Sequence, residues 1–272
     1  MACLKSNGRI IICGIIRALA GLHIGSLNPG LQVGGIDLPV VRNPLDNRPF
    51  LPGSSLRGKM RSLLERHFGL PLNRKIQEEP PVRIHECETE EEYKRCLVCN
   101  IFGVAVDVAE KYENLPSRLI VRDALLSDFS ADELQKRKTD LPYTEAKMEI
   151  AVDRITAQAV PRTVERVPAG AFFNFEMVFN LLKEDDQNFF KDVLLGMRLL
   201  EDDYLGGHGA RGSGKVRFEN VSVSLRHPGY YEGKEPEKEM AKNQTVACLQ
   251  AINWVEKINE ILKEEISGGS DG

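Results

Sequence analysis

One histidine and three cysteines form the clearest group of metal-binding side chains in the sequence. His85, Cys87, Cys96 and Cys99 follow the spacing His-x-Cys-x8-Cys-x2-Cys. Zinc prefers imidazole nitrogen and thiolate sulfur, and four such ligands leave a tetrahedral ion no open position, so the pattern predicts a structural zinc site. The alternative is four unligated side chains in an acidic loop. That loop has little apolar material with which to fold itself, and a bound metal would supply the missing stability.

The glycine-rich stretch LGGHGARGSGKVRF, Leu205 to Phe218, is a candidate anion site. Glycine allows backbone conformations that point N–H groups at an anion, and Arg211 and Lys215 add positive charge. A mononucleotide-binding P-loop would need a strand before it, a helix after it and a Gly-Lys-Ser/Thr ending. Here a predicted helix precedes the stretch, a strand follows it, and Val216 comes after Lys215. We therefore expect a loop that holds a polynucleotide backbone, with a flexible connector as the alternative.

The stretch PGSSLRGKMRS combines a helix start with basic residues. Ser54 or Ser55 is expected to cap the helix, and helix N-termini bind phosphates through free N–H groups and the helix dipole. Arg57 and Arg61 lie one turn apart and can share a face, with Lys59 rotated away from them. An ordinary solvated basic face is the alternative.

Asp37 is a lone carboxylate in the glycine-flanked segment VGGIDLPVVRNP. Aspartate in a turn is usually structural, because its side chain bonds to nearby backbone. The other interpretation is a catalytic acid presented on a loop. His23, in GLHIG, is a second candidate on the same loop, either as a hydrogen-bonding residue or as a general base. Spacing alone leaves both residues open.

Hydrophobic periodicity predicts the elements that would position these groups. The isoleucine-rich run 8–20 and the alternation of Phe173, Phe175, Met177 and Phe179 predict buried strands. Helical spacing of apolar residues predicts a helix that ends at Gly69, and two more over 188–203 and 245–266. The remaining expectations are a strand over 117–128, a polar and mobile segment over 129–146, a long hairpin over 147–170 and a disordered tail over 267–272. This order resembles a split βαβ, ferredoxin-like pattern, and RNA-recognition modules use the same kind of sheet.

The charge and the cysteine content of the chain indicate which partners and which cellular compartment to expect. The net charge is −4, which argues against a general nucleic-acid coat, but residues 51–75 hold six basic residues and one acid. Three of the six cysteines fall within thirteen residues, which favours metal binding in a reducing compartment over a disulfide framework. The sequence contains neither a signal peptide pattern nor an apolar run of about 18 residues. We expect a cytoplasmic protein with no membrane partner.

Five stretches together resemble the backbone subunit of the type III-A CRISPR interference (Csm) complex, in the RAMP superfamily. They are GLHIG at 21–25, GGIDLPVVRNP at 34–44, PFLPGSSLRGKMRSLLE at 49–65, DRITAQAVPRTVERVPAG at 153–170 and LGGHGARGSGKV at 205–216. The resemblance implies an α+β fold with a ferredoxin-like or RRM-like core over residues 1–69 and 117–226. It also implies a helical, zinc-bearing insertion over 70–116 and a protruding β-hairpin thumb over about 147–167. A C-terminal amphipathic helix and tail would occupy 227–272.

The resemblance also implies a function. Copies of the chain would stack along a guide CRISPR RNA in a helical filament, beside other Csm subunits that include a large polymerase-like subunit. Each copy would cut the paired target RNA once, with Asp37 as the catalytic residue and Mg²⁺ or Mn²⁺ as the divalent cation, in addition to structural Zn²⁺. A non-catalytic RNA-binding RAMP subunit is one alternative. The other is a guide-processing endoribonuclease that uses His23 as its base and needs no divalent metal.

The expected RNA contacts lie on the helix start, the hairpin and the glycine loop. A filament that accepts any guide must bind phosphates and 2′-hydroxyl groups, and base readout would defeat it. On the hairpin, Ile155, Val160 and Val164 are expected to stack against bases. The expected RNA-binding residues are His23, Arg42, Ser54, Ser55, Arg57, Lys59, Arg61, Lys147, Arg154, Arg162, Arg166, Gly206, Gly207, His208, Gly209, Arg211, Gly212, Ser213, Gly214 and Lys215.

Overall fold

The centre of the molecule is a seven-stranded antiparallel sheet. A computed structural model describes residues 6–25, 38–105, 116–137 and 139–268. The strands of the central sheet are β1 (Gly8–Ala18), β2 (Phe50–Leu51), β5 (Leu119–Val121), β6 (Ala124–Leu126), β9 (Phe172–Leu181), β10 (Val216–Arg226) and β11 (Lys238–Gln244). They are ordered β11-β10-β1-β9-β6-β2, with β5 also paired to β9. Two separate hairpins are β3 (Arg74–Gln77) with β4 (Val82–Ile84), and β7 (Glu145–Val152) with β8 (Ala159–Arg166).

Helices cover one face of this sheet and supply the other half of the core. The helices are α1 (Gly53–His67), α2 (Glu90–Arg95), α3 (Leu97–Phe102), α4 (Asp128–Lys136), α5 (Gln187–Asp202), α6 (Pro228–Tyr231), α7 (Val246–Gln250) and α8 (Trp254–Gly268). The alternating side chains of β9 are buried against this layer, as the period of two predicts. Gly196 of α5 lets α1 approach closely, because a Cβ there would lie 3.3 Å from Leu64 and Met60. The prediction of mixed helices and strands is confirmed.

Three local predictions were wrong. The segment 129–146, expected to be mobile, contains α4, whose N-terminus is capped by Ser127 accepting from the Ser130 N–H. Helix α1 begins after Pro52, so neither Ser54 nor Ser55 caps it. The single C-terminal helix is two helices, α7 and α8, preceded by strand β11 that the sequence did not indicate. The segment 129–146 was expected to be mobile because it is polar. Strand β11 forms because it pairs with β10, which its own sequence does not indicate.

The segment 70–116, expected to be a helical insertion that carries zinc, contains short elements in its described part. These are the hairpin β3–β4 and the helices α2 and α3. Residues 269–272 of the expected tail lie outside the described residues. Among the described helices, none is long and apolar enough to cross a membrane.

Candidate functional site

The histidine and the three cysteines come together in one cluster. The metal-binding atoms of His85, Cys87, Cys96 and Cys99 all lie within 4.8 Å of one another. Nε2 of His85 is 3.3 Å from Cys96 Sγ and 3.7 Å from Cys87 Sγ. A tetrahedral zinc ion with one nitrogen and three sulfur ligands places such atoms about 3.6–3.8 Å apart. The donor set and its spacing therefore fit a four-coordinate metal ion.

Neighbouring elements fix the ligands of this cluster in place. Cys96 is the N-cap of α3 and its Sγ accepts a hydrogen bond from the Cys99 N–H, so the two thiols lie on one helix start. Nδ1 of His85 lies 3.0 Å from the Pro71 carbonyl oxygen. A carbonyl only accepts, so Nδ1 carries the proton and Nε2 is left for the metal.

Hydrogen bonds between the thiols shift their pKa values in opposite directions. Hydrogen bonds from the Cys87 and Cys99 thiols lower the pKa of Cys96, while the hydrogen bond that Cys87 donates to Cys96 raises the pKa of Cys87. One negative charge is thus stabilised by two neighbouring S–H groups. A zinc ion would supply the larger charge that stabilises all three thiolates.

Two arginines of α1 hold the insertion against the core. Arg61 bonds to Glu65 at 2.9 Å and to the His85 carbonyl oxygen at 2.7 Å. Arg57 donates to the Phe102 carbonyl oxygen and to Ser117 Oγ. These guanidinium groups have protein partners, so their contacts favour a structural role over the phosphate contacts expected from the sequence.

The rest of the helix start offers fewer free groups than expected. Nζ of Lys59 lies 3.2 Å from Asp203 and 3.7 Å from the centre of the Tyr204 ring. The Gly53 N–H is already taken by the Asp123 carboxylate. Ser54 is exposed and Ser55 is half-buried. The serines remain candidates for phosphate contact, whereas Lys59 would have to leave an ion pair.

The glycine loop packs tightly on the segment 21–25. Gly206 has φ +78°, and a Cβ there would lie 2.1 Å from the His23 carbonyl oxygen. The N–H of Gly207 donates to that same oxygen at 2.8 Å, and the N–H of Gly214 donates to the Gly21 carbonyl oxygen at 2.9 Å. Glycine is required here by close approach as well as by backbone conformation.

The expectation that the loop's N–H groups face an anion was wrong for several residues. These N–H groups donate to protein carbonyl oxygens at Gly207, Arg211, Gly212, Ser213 and Gly214. Buried or packed N–H groups need partners, and carbonyl oxygens of the loop itself and of the segment 21–25 supply them. Any anion contact of this loop therefore depends mainly on side chains, and those of Arg211 and Lys215 are exposed.

His23 is buried between the hairpin residue Glu165 and the glycine-loop residue His208. It is 5% exposed, Nδ1 lies 2.7 Å from the Glu165 carbonyl oxygen, and its ring meets the His208 ring edge-on at 5.3 Å. Nδ1 therefore donates, and the imidazole is enclosed by backbone. This environment favours the hydrogen-bonding interpretation of His23 over the general base.

The chain that follows Asp37 is fixed to the base of the hairpin β7–β8. Asp37 itself lies outside the described residues, and the description resumes at Leu38, whose carbonyl oxygen accepts from the Glu165 N–H at 3.1 Å. The Glu165 carboxylate accepts from the Val40 N–H at 2.8 Å, from Arg42 at 2.5 Å and from Thr144 at 2.6 Å. Arg42, expected to contact RNA, is thus engaged by a buried acid.

The hairpin β7–β8 presents two different faces. Side chains alternate along a strand, so Met148, Ile150 and Val152 share one face, and all three are exposed. The other face carries Lys147, Glu149 and Arg162. At the tip Arg154 and Ile155 are exposed, whereas Arg166 pairs with Glu145 at 2.5 Å. Val160 is exposed too, but Val164 is 1% exposed, so the expectation that Val164 stacks on bases was wrong.

Comparison with known proteins identifies relatives over most of the chain. A sequence profile described as the RAMP superfamily matches residues 15–217. A protein of Methanocaldococcus jannaschii named CRISPR system Cms endoribonuclease Csm3 is 38% identical over 98% of this chain and 97% of its own length. The chain belongs to the Csm3 family of the RAMP superfamily.

Further relatives of this RAMP chain agree with that assignment. A Streptococcus thermophilus protein of the same name is 40% identical over 79% of this chain and 89% of its own length. Among solved structures, a chain in the crystal structure of a Csm3–Csm4 subcomplex of the type III-A CRISPR-Cas interference complex has TM-score 0.59 and 33% identity. That match covers 94% of this chain and 98% of the other.

Nothing in the sequence indicated three residues that lie where the hairpin β7–β8 faces the glycine loop and the segments 21–25 and 38–42, a region that we call the groove. Glu165 and Thr144 anchor the segment after Asp37, and Glu149 joins the hairpin to the glycine loop. Glu165 has no spacing signature, because Val40 and Arg42, which donate to it, lie more than 120 residues away in the chain. Only the fold brings these partners to Glu165.

Proposed function

We propose that this chain is the repeating backbone subunit of a type III-A CRISPR effector complex. In this role it binds guide RNA and cleaves the complementary target RNA at regular intervals. The observation that carries the proposal is the full-length similarity to a protein named as a Csm3 endoribonuclease. Copies of the chain, the Csm4 subunit and a large polymerase-like subunit are its proposed partners. The similarity to a chain in a Csm3–Csm4 subcomplex supports this assembly.

The proposed core has ferredoxin-like topology. Strands β1, β6, β9 and β10 lie in the order β10-β1-β9-β6, which is fourth, first, third, second in chain order. Antiparallel pairing in that order supports a split βαβ core over residues 1–69 and 117–226. The insertion over 70–116 then carries the metal, the hairpin over about 147–167 serves as the thumb, and 227–272 forms the C-terminal helical segment and tail.

The insertion is proposed to hold structural Zn²⁺ through His85, Cys87, Cys96 and Cys99. The ligand atoms lie within 4.8 Å of one another, and the carbonyl of Pro71 orients the imidazole. Four protein ligands leave no open coordination position, so this metal has no place in the cleavage step.

Asp37 is proposed as the catalytic residue. Its chain neighbour Leu38 pairs with Val164 at the base of the hairpin, and this contact supports a position of Asp37 near a duplex that the hairpin enters. A hairpin inserted into the duplex would distort the RNA locally and bring a 2′-hydroxyl into line with its phosphate. The Asp37 carboxylate would then accept the hydroxyl proton or hold a divalent cation, Mg²⁺ or Mn²⁺. One carboxylate cannot build a two-metal site, so RNA oxygens would complete the coordination.

RNA is proposed to bind between the hairpin and the glycine loop. The exposed cations in this region are Arg154, Arg211 and Lys215, with Lys147 and Arg162 half-buried beside them. Contacts of these side chains to phosphates would be independent of sequence, as a filament that accepts any guide requires. The apolar face of the hairpin, with Ile155 at its tip, would stack against the bases.

The experiment is a cleavage assay of the assembled complex on matched target RNA, with Asp37→Ala against the parent. We expect cleavage to fall by a factor of about 10²–10⁴, as the loss of a proton-transfer group predicts, with complex assembly and target binding unchanged. Asp46→Ala is the matched control, because Asp46 is an exposed acid in the same connection. Persisting cleavage would make Asp37 a turn residue and the chain a non-catalytic subunit.

A divalent chelator separates the remaining alternative. The proposed mechanism with a bound cation predicts loss of target cleavage in EDTA. A guide-processing enzyme would instead cut precursor RNA as the lone protein, in EDTA, and would lose that activity in His23→Ala.

A further inference from the structure

The hairpin and the glycine loop meet around the carboxylate of Glu149, and Nζ of Lys147 also donates to the Arg211 carbonyl oxygen at 3.3 Å. Its Oε2 lies 2.9 Å from an Arg162 nitrogen, 3.4 Å from an Arg211 nitrogen and 3.6 Å from Nδ1 of His208. Its Oε1 lies 3.6 Å from Nζ of Lys147. The side chain of Glu149 is only 11% exposed, so these contacts form in a partly dehydrated cleft. The Glu149 carboxylate thus lies close to basic side chains of both the hairpin and the glycine loop.

Glu149 does not satisfy the groups that surround it. Nε of Arg162 and Nδ1 of His208 are buried, and neither has a hydrogen-bond partner within the described parts of the chain. Burial lowers the pKa of His208, so its imidazole is neutral and contributes no charge. Arg162, Arg211 and Lys147 bring three positive charges against one negative charge. The cluster therefore has an excess of positive charge and an unmet demand for hydrogen-bond acceptors.

A phosphodiester would meet that demand better than a carboxylate does. Both groups present two anionic oxygens at a spacing that guanidinium groups bind in pairs. A phosphodiester also carries ester oxygens and belongs to a chain that can follow the cleft. Although burial opposes it, the hydrogen bond from Arg162 and the neighbouring cations hold the pKa of Glu149 below its ordinary value, so the carboxylate is charged at neutral pH.

We propose that Lys147, Arg162, His208 and Arg211 form a single site for one RNA backbone phosphate, and that Glu149 occupies this site when RNA is absent. RNA binding exchanges the carboxylate for a phosphate and lets Glu149 turn toward water. Glu149 is therefore an internal competitor that lowers the affinity of the free protein for RNA. This proposal rests on the proposed function, because the ligand is the RNA that the groove binds.

The test measures binding of a labelled, mixed-sequence single-stranded RNA to the full-length protein across a series of salt concentrations. We expect Glu149→Gln to bind about two- to fivefold more tightly at low salt, the size of one partly exposed ion pair. Salt weakens the internal ion pairs of Glu149 as well as the RNA contacts, so removing Glu149 should also steepen the slope of log affinity against log salt.

Matched variants separate the site from general charge effects. Glu176 lies on β9 and pairs with Arg122. Glu176→Gln changes the net charge by the same amount as Glu149→Gln and should alter RNA affinity much less. In Glu149→Gln with Arg162→Gln, the gain should disappear. Thermal melting checks that each variant is folded.

Three outcomes would overturn the proposal. Weaker binding by folded Glu149→Gln would make Glu149 a support for the hairpin. Unchanged binding at every salt concentration would show that the cations are not a site, and an equal gain in Glu176→Gln would reduce the effect to net charge. If the parent protein binds RNA and one of these three results is found, only the proposed phosphate site is contradicted. Absence of binding by the parent counts against the proposed function as well.

Discussion

The metal cluster and the groove between the hairpin and the glycine loop are built in opposite ways. The cluster draws all four ligands from residues 85–99 and buries most of them. The groove draws its side chains from separate stretches between residues 21 and 215 and keeps its cations partly exposed. The cluster meets its own bonding needs once a metal is present, whereas the groove retains unsatisfied donors. A closed site such as the cluster stabilises the fold, whereas an open site such as the groove has donors available to bind a partner.

The largest expected effect is the loss of the cluster. Cys96→Ser with Cys99→Ser should remove the metal and cost the insertion more than about 5 kcal/mol, a fraction of what structural zinc contributes in small domains. At about 2–4 °C per kcal/mol, the melting temperature should fall by about 10 °C or more. Metal analysis and thermal melting measure both quantities. The exposed Cys248, changed to Ser, is the control.

Two results would contradict the view that the His/Cys cluster is a closed site that stabilises the fold. One is a parent protein with no stoichiometric metal, which would make the four side chains an unligated cluster. The other is a double variant that melts like the parent after losing its metal, which would remove the cluster's role in stability.

The next effect concerns the joint between the insertion and the core. Arg118 and Asp186 form an ion pair at 2.7 Å with both side chains 2% exposed, and Arg118 also donates to the Asn100 carbonyl oxygen of α3. Arg118→Ala leaves the buried Asp186 carboxylate without a counter-charge, although two backbone N–H groups still donate to it, and should cost about 3–5 kcal/mol. Chemical denaturation measures it. Arg122→Ala, in an exposed pair, should cost less than about 1 kcal/mol, and equal losses would contradict the assignment.

A smaller effect is expected where the segment after Asp37 meets the hairpin. Arg42→Ala removes one partner of the buried Glu165 carboxylate but leaves Thr144 and the Val40 N–H in place. The expected loss of stability is about 1–3 kcal/mol, the cost of an under-satisfied buried acceptor. Denaturation of Arg42→Ala beside Arg48→Ala, whose partner Asp128 is exposed, measures it. No difference between the two would mean that Glu165 finds another donor.

The smallest effect on stability should come from the glycine loop, where binding should change instead. Arg211→Ala with Lys215→Ala removes two exposed cations, so the melting temperature should stay within about 2 °C of the parent. RNA affinity should fall, and its salt slope should become shallower by about 1.4, or 0.7 for each lost phosphate contact. Arg217→Ala, an exposed cation on β10, is the control. Unchanged affinity at every salt concentration would remove both residues from the groove.

The sequence predicted what is encoded locally. The His/Cys cluster, the buried face of β9, the apolar stripe of α1 and the hairpin all follow from spacing within short segments. It failed where long-range contacts decide the outcome. Arg57 and Arg61 look like a phosphate-binding face until the insertion folds against them. The glycine loop's N–H groups look free in the sequence, but carbonyl oxygens of the loop itself and of the segment 21–25 accept their hydrogen bonds. Glu165 gave no signal, because its partners Val40, Arg42 and Thr144 are all more than twenty residues away in the chain.

The apolar face of the hairpin has a consequence for how the free protein behaves in solution. Met148, Ile150 and Val152 point into water, and Ile155 at the tip is 94% exposed. Contiguous exposed apolar surface promotes association, and charge repulsion between copies opposes it. Salt screens that repulsion and strengthens apolar association, so the isolated protein should become less soluble as salt rises. Whatever covers this face in an assembly would also protect the protein from precipitation.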